Sequence, residues 1–227
     1  MNILFASTID PSATVSRTAL EILSKIEPRT EAINATLFKA LDDERGRVRS
    51  FAVAERSRTR PVTEQVIRDL IAATNDEYKW VRSAAIGGLA NVTPTSEEMI
   101  AAVVKGLRDD TEAVRLSAMR SLRHLEVKDS AVVARLIDVL SFDSAYDRIT
   151  AIGELRSINP TQPSIVSALA KAASDEDENV RRHAMNALGE IGPAAKSAIP
   201  TLKATMLSED GWVRSAAMKA LQKIERR

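Results

Sequence analysis

Cysteine is absent from the 227-residue chain, which excludes disulfides and thiolate chemistry and fits a reducing compartment. Histidine occurs only at His124 and His183, so a metal site would need acids gathered by folding. Glycine is sparse, with 8 residues, and no phosphate-cradling loop is visible. An excess of one charge is missing too: 32 Lys plus Arg stand against 31 Asp plus Glu. The balance removes any global argument for nucleic acid or an anionic membrane, so a basic surface has to be local. Long apolar runs are also lacking. The apolar start from Ile3 to Ala6 is too short for a signal-peptide core or a membrane span. These absences lead to the expectation of a soluble, cytoplasmic protein with no cofactor, no metal and no membrane partner. No catalytic constellation is apparent either.

What the chain has in abundance is repetition. Val15, Val48, Val81, Val114, Asp147, Val180 and Val213 follow one another at intervals of 33 residues. Four places after each of these anchors stands an alanine, at Ala19, Ala52, Ala85, Ala118, Ala151, Ala184 and Ala217. Eight places after come Leu23, Leu89, Leu122, Leu155, Leu188 and Leu221, with Arg56 as the exception. Eleven places after come Ile26, Val92, Leu125, Ile158, Ile191 and Ile224, with Thr59 breaking the rule. Positions 0, 4, 8 and 11 share one stripe of an α-helix, so each unit contains an amphipathic helix that is small at the middle of its buried side. Glu55 and Glu154 share position 7 but stand three units apart, too distant for a carboxylate pair.

A second apolar stripe precedes each anchor, from Ile33 and Leu37 through Val66 and Leu70, Met99 and Val103, Val132 and Leu136, Ile165 and Leu169, to Ile199 and Leu202. The unit is therefore a helical hairpin. Thr30, Thr63, Ser96 and Asp129 are placed to cap the first helix. Pro28, Pro61, Pro94, Pro160 and Pro193 end the second, because proline lacks the amide that would continue it. The chain reads as a single repeat domain over residues 1–227, with units near 1–28, 29–61, 62–94, 95–127, 128–160, 161–193 and 194–227. The first unit lacks room for a full first helix. Its apolar Ile3, Leu4, Phe5 and Ile9 fit an imperfect cap, a dimer surface or the trace of a longer parent chain. The last turn is polar, with Lys223, Glu225, Arg226 and Arg227. The second unit is the anomaly, carrying Arg45, Arg47, Arg49, Arg56, Arg58 and Arg60. Its second helix is expected to be looser or rotated.

A 33-residue period is also that of ankyrin repeats, but no unit has their TPLH segment, nor the Trp-Leu-Gly-Tyr pattern of tetratricopeptide repeats. Instead an acid precedes an arginine by six residues: Asp43 and Arg49, Asp76 and Arg82, Asp109 and Arg115, Asp175 and Arg181. With "VRxxAxxAL" and the Ile-Gly-Pro ending at Pro193, the chain resembles the HEAT repeat, in the short form also called phycobilisome-lyase-like. That resemblance implies an all-α, right-handed α-solenoid of about seven antiparallel hairpins, with the anchor helices on its concave side. It also implies a ladder of Asp to Arg pairs between neighbouring units, to which Arg148 and Arg214 belong by position. An arginine at a helix start has the wrong sign for the dipole and needs such an acid. Phe142 at the acid place of the fifth unit and Ser208 at that of the seventh, with Glu209 and Asp210 nearby, lead to the expectation of irregular rungs there.

Positions 2, 6, 9 and 10 of the anchor helix face away from the core. There Leu116, Arg120, Arg123 and His124 of the fourth unit are followed by Ile149 and Arg156, then Arg182, then Lys219. The expectation is a basic partner-binding patch suited to an unidentified acidic protein or peptide. Trp80, Tyr146 and Trp212 each precede an anchor, with Tyr78 close by; they are either interface anchors or covers for the ladder. The leading expectation is a non-enzymatic protein-interaction scaffold. Two alternatives stand beside it. The resemblance extends to lyases that handle bilin chromophores, an analogy of fold alone. Phosphate-backbone binding to DNA or RNA could use the same arginines, against which the near-neutral charge argues.

Overall fold

The computed structural model describes residues 1–27, 30–93, 95–125, 130–158, 161–208 and 210–225. Every regular element among them is helical. Fourteen α-helices pair in chain order: α1 (Asn2–Ser7) with α2 (Ala13–Ser24), α3 (Glu31–Lys39) with α4 (Gly46–Ser57), α5 (Glu64–Ala73) with α6 (Lys79–Leu89), and α7 (Glu97–Gly106) with α8 (Glu112–His124). The series continues with α9 (Ser130–Val139) and α10 (Ala145–Ile158), α11 (Pro163–Ala172) and α12 (Glu178–Ile191), and α13 (Ile199–Thr205) and α14 (Gly211–Glu225). The even-numbered helices carry the anchors. Thr30, Thr63 and Ser96 cap as expected, each Oγ accepting the amide three residues on at 3.3 Å. Gly192, at φ 67°, ends α12 in a backbone conformation that side chains other than glycine resist. Asp129, Pro28, Pro94, Pro160, Glu209, Arg226 and Arg227 lie outside the described residues.

The helices pack in two compact units, Met1–Leu125 and Glu126–Arg227. In the first, α2, α4, α6 and α8 lie side by side, backed by the odd-numbered helices. In the second, α10, α12 and α14 form the anchor layer against α9, α11 and α13. The alanines at position 4 and the leucines at position 8 are buried throughout, and each buried leucine contributes on the order of 1.5 to 3 kcal/mol. Position 11 departs from expectation: Val92 and Ile224 are buried, but Ile26, Leu125, Ile158 and Ile191 are only half-buried. They sit at or beyond the last turn of their helices. In their place the core takes position 5, at Leu20, Val53, Ile86, Met119, Ile152 and Met185, all 2% exposed or less.

Positions 5 and 7 are where successive hairpins meet. A Cβ on Gly189, at position 9, would stand 3.0 Å from the Cα of Ala220, at position 7 of the next hairpin. Likewise Ser121 Oγ, at position 7, donates to the Ile86 carbonyl, at position 5 of the hairpin before, at 3.2 Å. Glycine, alanine and serine at these places let the helix backbones approach closely.

The arginine ladder is built differently from a simple pairing of Asp43 with Arg49. Arg49, Arg82 and Arg148 each bind two loops at once. Nη1 donates to the carbonyl of the acid position in the arginine's own hairpin, as Arg49 does to Asp43 at 2.7 Å, Arg82 to Asp76 at 2.9 Å, Arg115 to Asp109 at 2.8 Å and Arg181 to Asp175 at 2.8 Å. In Arg49, Arg82 and Arg148 the remaining N–H groups reach the carboxylate of the next hairpin, 27 residues on. Arg49 forks onto Asp76 at 2.8 and 2.9 Å, and Arg82 onto Asp109 at 2.7 and 2.8 Å. Arg148 reaches Asp175 at 2.8 Å. Such two-pronged charged bonds are the stronger kind. Burial pushes the carboxyls of Asp76 and Asp109 up, but the bonds from Arg49 and Arg82 and from loop amides outweigh it, leaving both below the usual range.

At the fifth unit Phe142 keeps the carbonyl of the rung but offers Arg115, 27 residues before it, no carboxylate. An arginine needs only a carbonyl from its own hairpin, so Arg148 Nη1 binds the Phe142 carbonyl at 2.7 Å as well as it would bind an aspartate's. At the seventh unit the expectation holds: Ser208 supplies its carbonyl to Arg214 at 2.7 Å, but Arg181 reaches Asp210 at 3.9 Å only. In the first hairpin Ser16 replaces the arginine, and its Oγ donates to the Asp10 carbonyl at 2.8 Å. Arg45 completes the rung by binding Asp43 through Nη2 at 2.7 Å and the Asp10 carbonyl through Nη1.

The second unit is not rotated. Val48 and Ala52 remain buried, and Arg56 occupies the leucine place at 7% exposure. Its guanidinium lies 4.1 Å over the Phe38 ring, and Nε donates to Asp69 Oδ2 at 2.6 Å. A buried charge is tolerated because a carboxylate and an aromatic face receive it.

Candidate interaction surface

The outward positions of α6 and α8 come together in a shallow groove of about 440 Å³. Ser83, Gly87, Ala90, Ser117 and Ser121 are among its lining residues. Ser117 Oγ donates to the Ser83 carbonyl at 3.0 Å, so the two helices are held close by hydroxyls rather than spread by large side chains. Trp80 and Ala113 mark the end near the helix starts, and Asn91 and His124 the end near their last turns. Leu116 and Arg120 lie between them. A rise of 1.5 Å per residue makes this about 16 Å long, enough for a short extended segment.

Within the groove Leu116 is half-buried, while Arg120 and His124 are exposed. No ion pair to Arg120 occurs among the described residues. Arg123 is exposed on the same helix and engaged by a neighbour. Trp80 is 48% exposed, with Lys79 Nζ 5.4 Å from its ring. The groove thus offers an aromatic and an aliphatic contact beside a cation. Trp80, an edge aromatic by its place in the repeat, belongs to the groove together with Ser117 and Ala113, which the outward positions 2, 6, 9 and 10 do not include. The signal was available, since these residues share positions −1 and 3 with small or aromatic counterparts.

In the second compact unit the cations are more occupied than the sequence implies. Arg156 Nη1 binds Glu190 Oε2 at 2.6 Å, from position 9 of one hairpin to position 10 of the next. Both side chains are near half exposed, so the pair adds little stability, but it neutralises the charge expected to be on offer. Arg182 donates to Asn179 Oδ1 at 2.8 Å. Burial, then the charges of Arg182 and Arg156, push His183 below the usual histidine range. Ile149 is half-buried and Lys219 exposed.

The aromatics divide into two roles. Tyr146 and Trp212 are largely exposed, like Trp80. Tyr78 instead packs on the start of α4, where a Cβ on Gly46 would collide with its ring. Among the described residues no group of three or more acids and histidines is placed to hold a metal, and no helix is long and apolar enough to cross a membrane.

Residues 133–222 match the family model of HEAT repeats. No curated protein sequence matches the chain. Among solved structures, an engineered protein aligns over 99% of this chain and 68% of its own, at 20% identity and a TM-score of 0.57. A designed armadillo repeat protein in complex with the peptide (KR)4 aligns over 98% of each chain, at 17% identity and a TM-score of 0.53. The complex of CpcE and CpcF of phycocyanin lyase from Nostoc sp. PCC7120 aligns over 98% of this chain and 94% of that one, at 18% identity and a TM-score of 0.52. At such identities the likeness is one of fold. The family match identifies HEAT repeats within residues 133–222, and the all-helical hairpins share the fold of the armadillo- and HEAT-like repeat proteins to which the chain is similar.

Proposed function

We propose that the protein is a non-enzymatic interaction scaffold whose anchor-helix surface binds a protein or peptide of acidic character. The observation that carries this is the groove between α6 and α8, where exposed Arg120 lies between Trp80 and His124 above a floor of small residues. A carboxylate of the partner meets Arg120, and an apolar side chain lies along Leu116 and Trp80. Aromatic and arginine side chains of this kind dominate interface energetics. The Arg156 to Glu190 pair is exposed, so a partner carboxylate can compete for Arg156 at small cost.

The test is fluorescence anisotropy with a labelled peptide alternating Glu and Leu, against one alternating Lys and Leu. The acidic peptide is expected to bind, to weaken with added salt, and to bind about tenfold more weakly to Arg120→Glu. Preference for the basic peptide, or equal binding to the variant, would overturn the reading. A bilin-handling role rests on the likeness to the CpcE and CpcF complex alone; an absorbance shift on mixing with a free bilin would favour it.

A further inference from the structure

The common register allows the first and last hairpins to be compared with those between them. Position 7 of the anchor helix is 5% exposed or less at Glu55, Ser121, Glu154, Ala187 and Ala220, yet Ile22 is 45% exposed there. Position 5 is 2% exposed or less in six hairpins, yet Met218 is 48% exposed. The two places are complementary. Within the compact units position 7 lies against positions 5 and 9 of the hairpin before it, as Ser121 does on Ile86 and Ala220 on Gly189. Continuing the same register past α14 sets an Ile22 on Met218.

Two further contacts follow the same rule. Lys105 Nζ donates to Asn75 Oδ1 at 2.6 Å, so the residue six before an anchor meets the residue nine before the next. In five hairpins that first residue is Asp42, Asn75, Arg108, Ser141 or Ser174, but in the last it is Leu207, 87% exposed. Its counterpart across the joint is Ala6 on α1. The ladder also continues. Asp10 Oδ1 accepts the Ser12 amide at 2.8 Å, the posture in which Asp76 accepts Tyr78 and Asp109 accepts Thr111. Counting 27 residues on from Arg214 and removing seven periods of 33 lands on Asp10.

We propose that the protein associates head to tail with a second copy, the α1–α2 face of one chain seated on α14 of another. Ile22 packs on Met218, and Asp10 and Arg214 form an interchain rung. A second copy is the occupant because both halves of the joint are carried by one chain, in register, apolar at the contact positions and opposite in charge at the rung. Such a contact is heterologous, joining different patches on the two copies.

Sedimentation velocity over a concentration series tests this on the 227-residue chain. The wild type is expected to gain mass with concentration, and Ile22→Glu and Met218→Glu each to stay monomeric. An equimolar mixture of the two variants retains one intact face of each kind and is expected to give dimers and nothing larger. Asp10→Arg and Arg214→Asp provide an independent pair: each alone weakens association, and their mixture restores the rung. Circular dichroism confirms that each variant is folded. A wild type that stays monomeric throughout, or variant mixtures that fail to associate, would overturn the proposal. So would loss of association in Arg120→Glu, which would move the contact to the groove and leave the peptide-binding reading standing.

Discussion

Aspartates 76 and 109 each hold a neighbouring hairpin's arginine while accepting a loop amide, and this makes the fold sensitive to acid in a defined direction. Their folded pKa values lie below the usual carboxylate value. A depressed carboxyl contributes stability that is present above the unfolded value, near 3.9, and is lost as pH falls through the folded value. Thermal melts should therefore drop as pH falls below about 4. Asp76→Asn with Asp109→Asn should flatten that dependence while lowering the melting temperature at neutral pH. At the core, Leu188 is fully buried at position 8. Replacement by alanine is expected to cost on the order of 2 to 5 kcal/mol, measured by denaturant titration. The aspartates could be listed from the sequence, but not their partners. The residues joined lie 27 apart rather than six, because the own-hairpin contact uses a carbonyl, which any residue supplies.

Helix α4 shows how an element absorbs a residue that its pattern forbids. An arginine at a leucine place reads as a defect, and the sequence alone predicts a disturbed helix. The helix stays regular because Asp69 on α5 and Phe38 on α3 converge on the guanidinium. Removing only the acid strands a buried charge, so Asp69→Ala is expected to cost about 3 kcal/mol. Replacing both charges, Arg56→Leu with Asp69→Leu, is expected to leave stability unchanged or raise it, as apolar replacements of buried ion pairs often do. Differential scanning calorimetry of the two variants separates these outcomes. The groove of α6 and α8 is also a property of elements: Ser83, Gly87 and Ser117 matter for how closely they let two helices lie, more than for any chemistry of their own.

For the molecule as a whole, coupling in a repeat array runs between neighbours. Leu188→Ala should therefore lower hydrogen-exchange protection in α10 to α14 well before it affects α2 to α4. A uniform loss across all hairpins would show instead that the chain unfolds as one cooperative block. The division at Leu125 falls at the end of the fourth repeat, so the two compact units each comprise whole hairpins.

The sequence alone made legible the helical repeat, the caps at Thr30, Thr63 and Ser96, and the buried stripe at positions 4 and 8. These depend on spacing along one helix, and spacing is what a sequence displays. Tertiary structure decided which carboxylate each arginine holds, that Glu190 takes Arg156, that Arg56 is welcome inside, and that positions 5 and 7 close one hairpin on the next. Each of these depends on a residue about a repeat or half a repeat away in the chain but within a few ångströms in space. Only the stacking of hairpins brings such residues together.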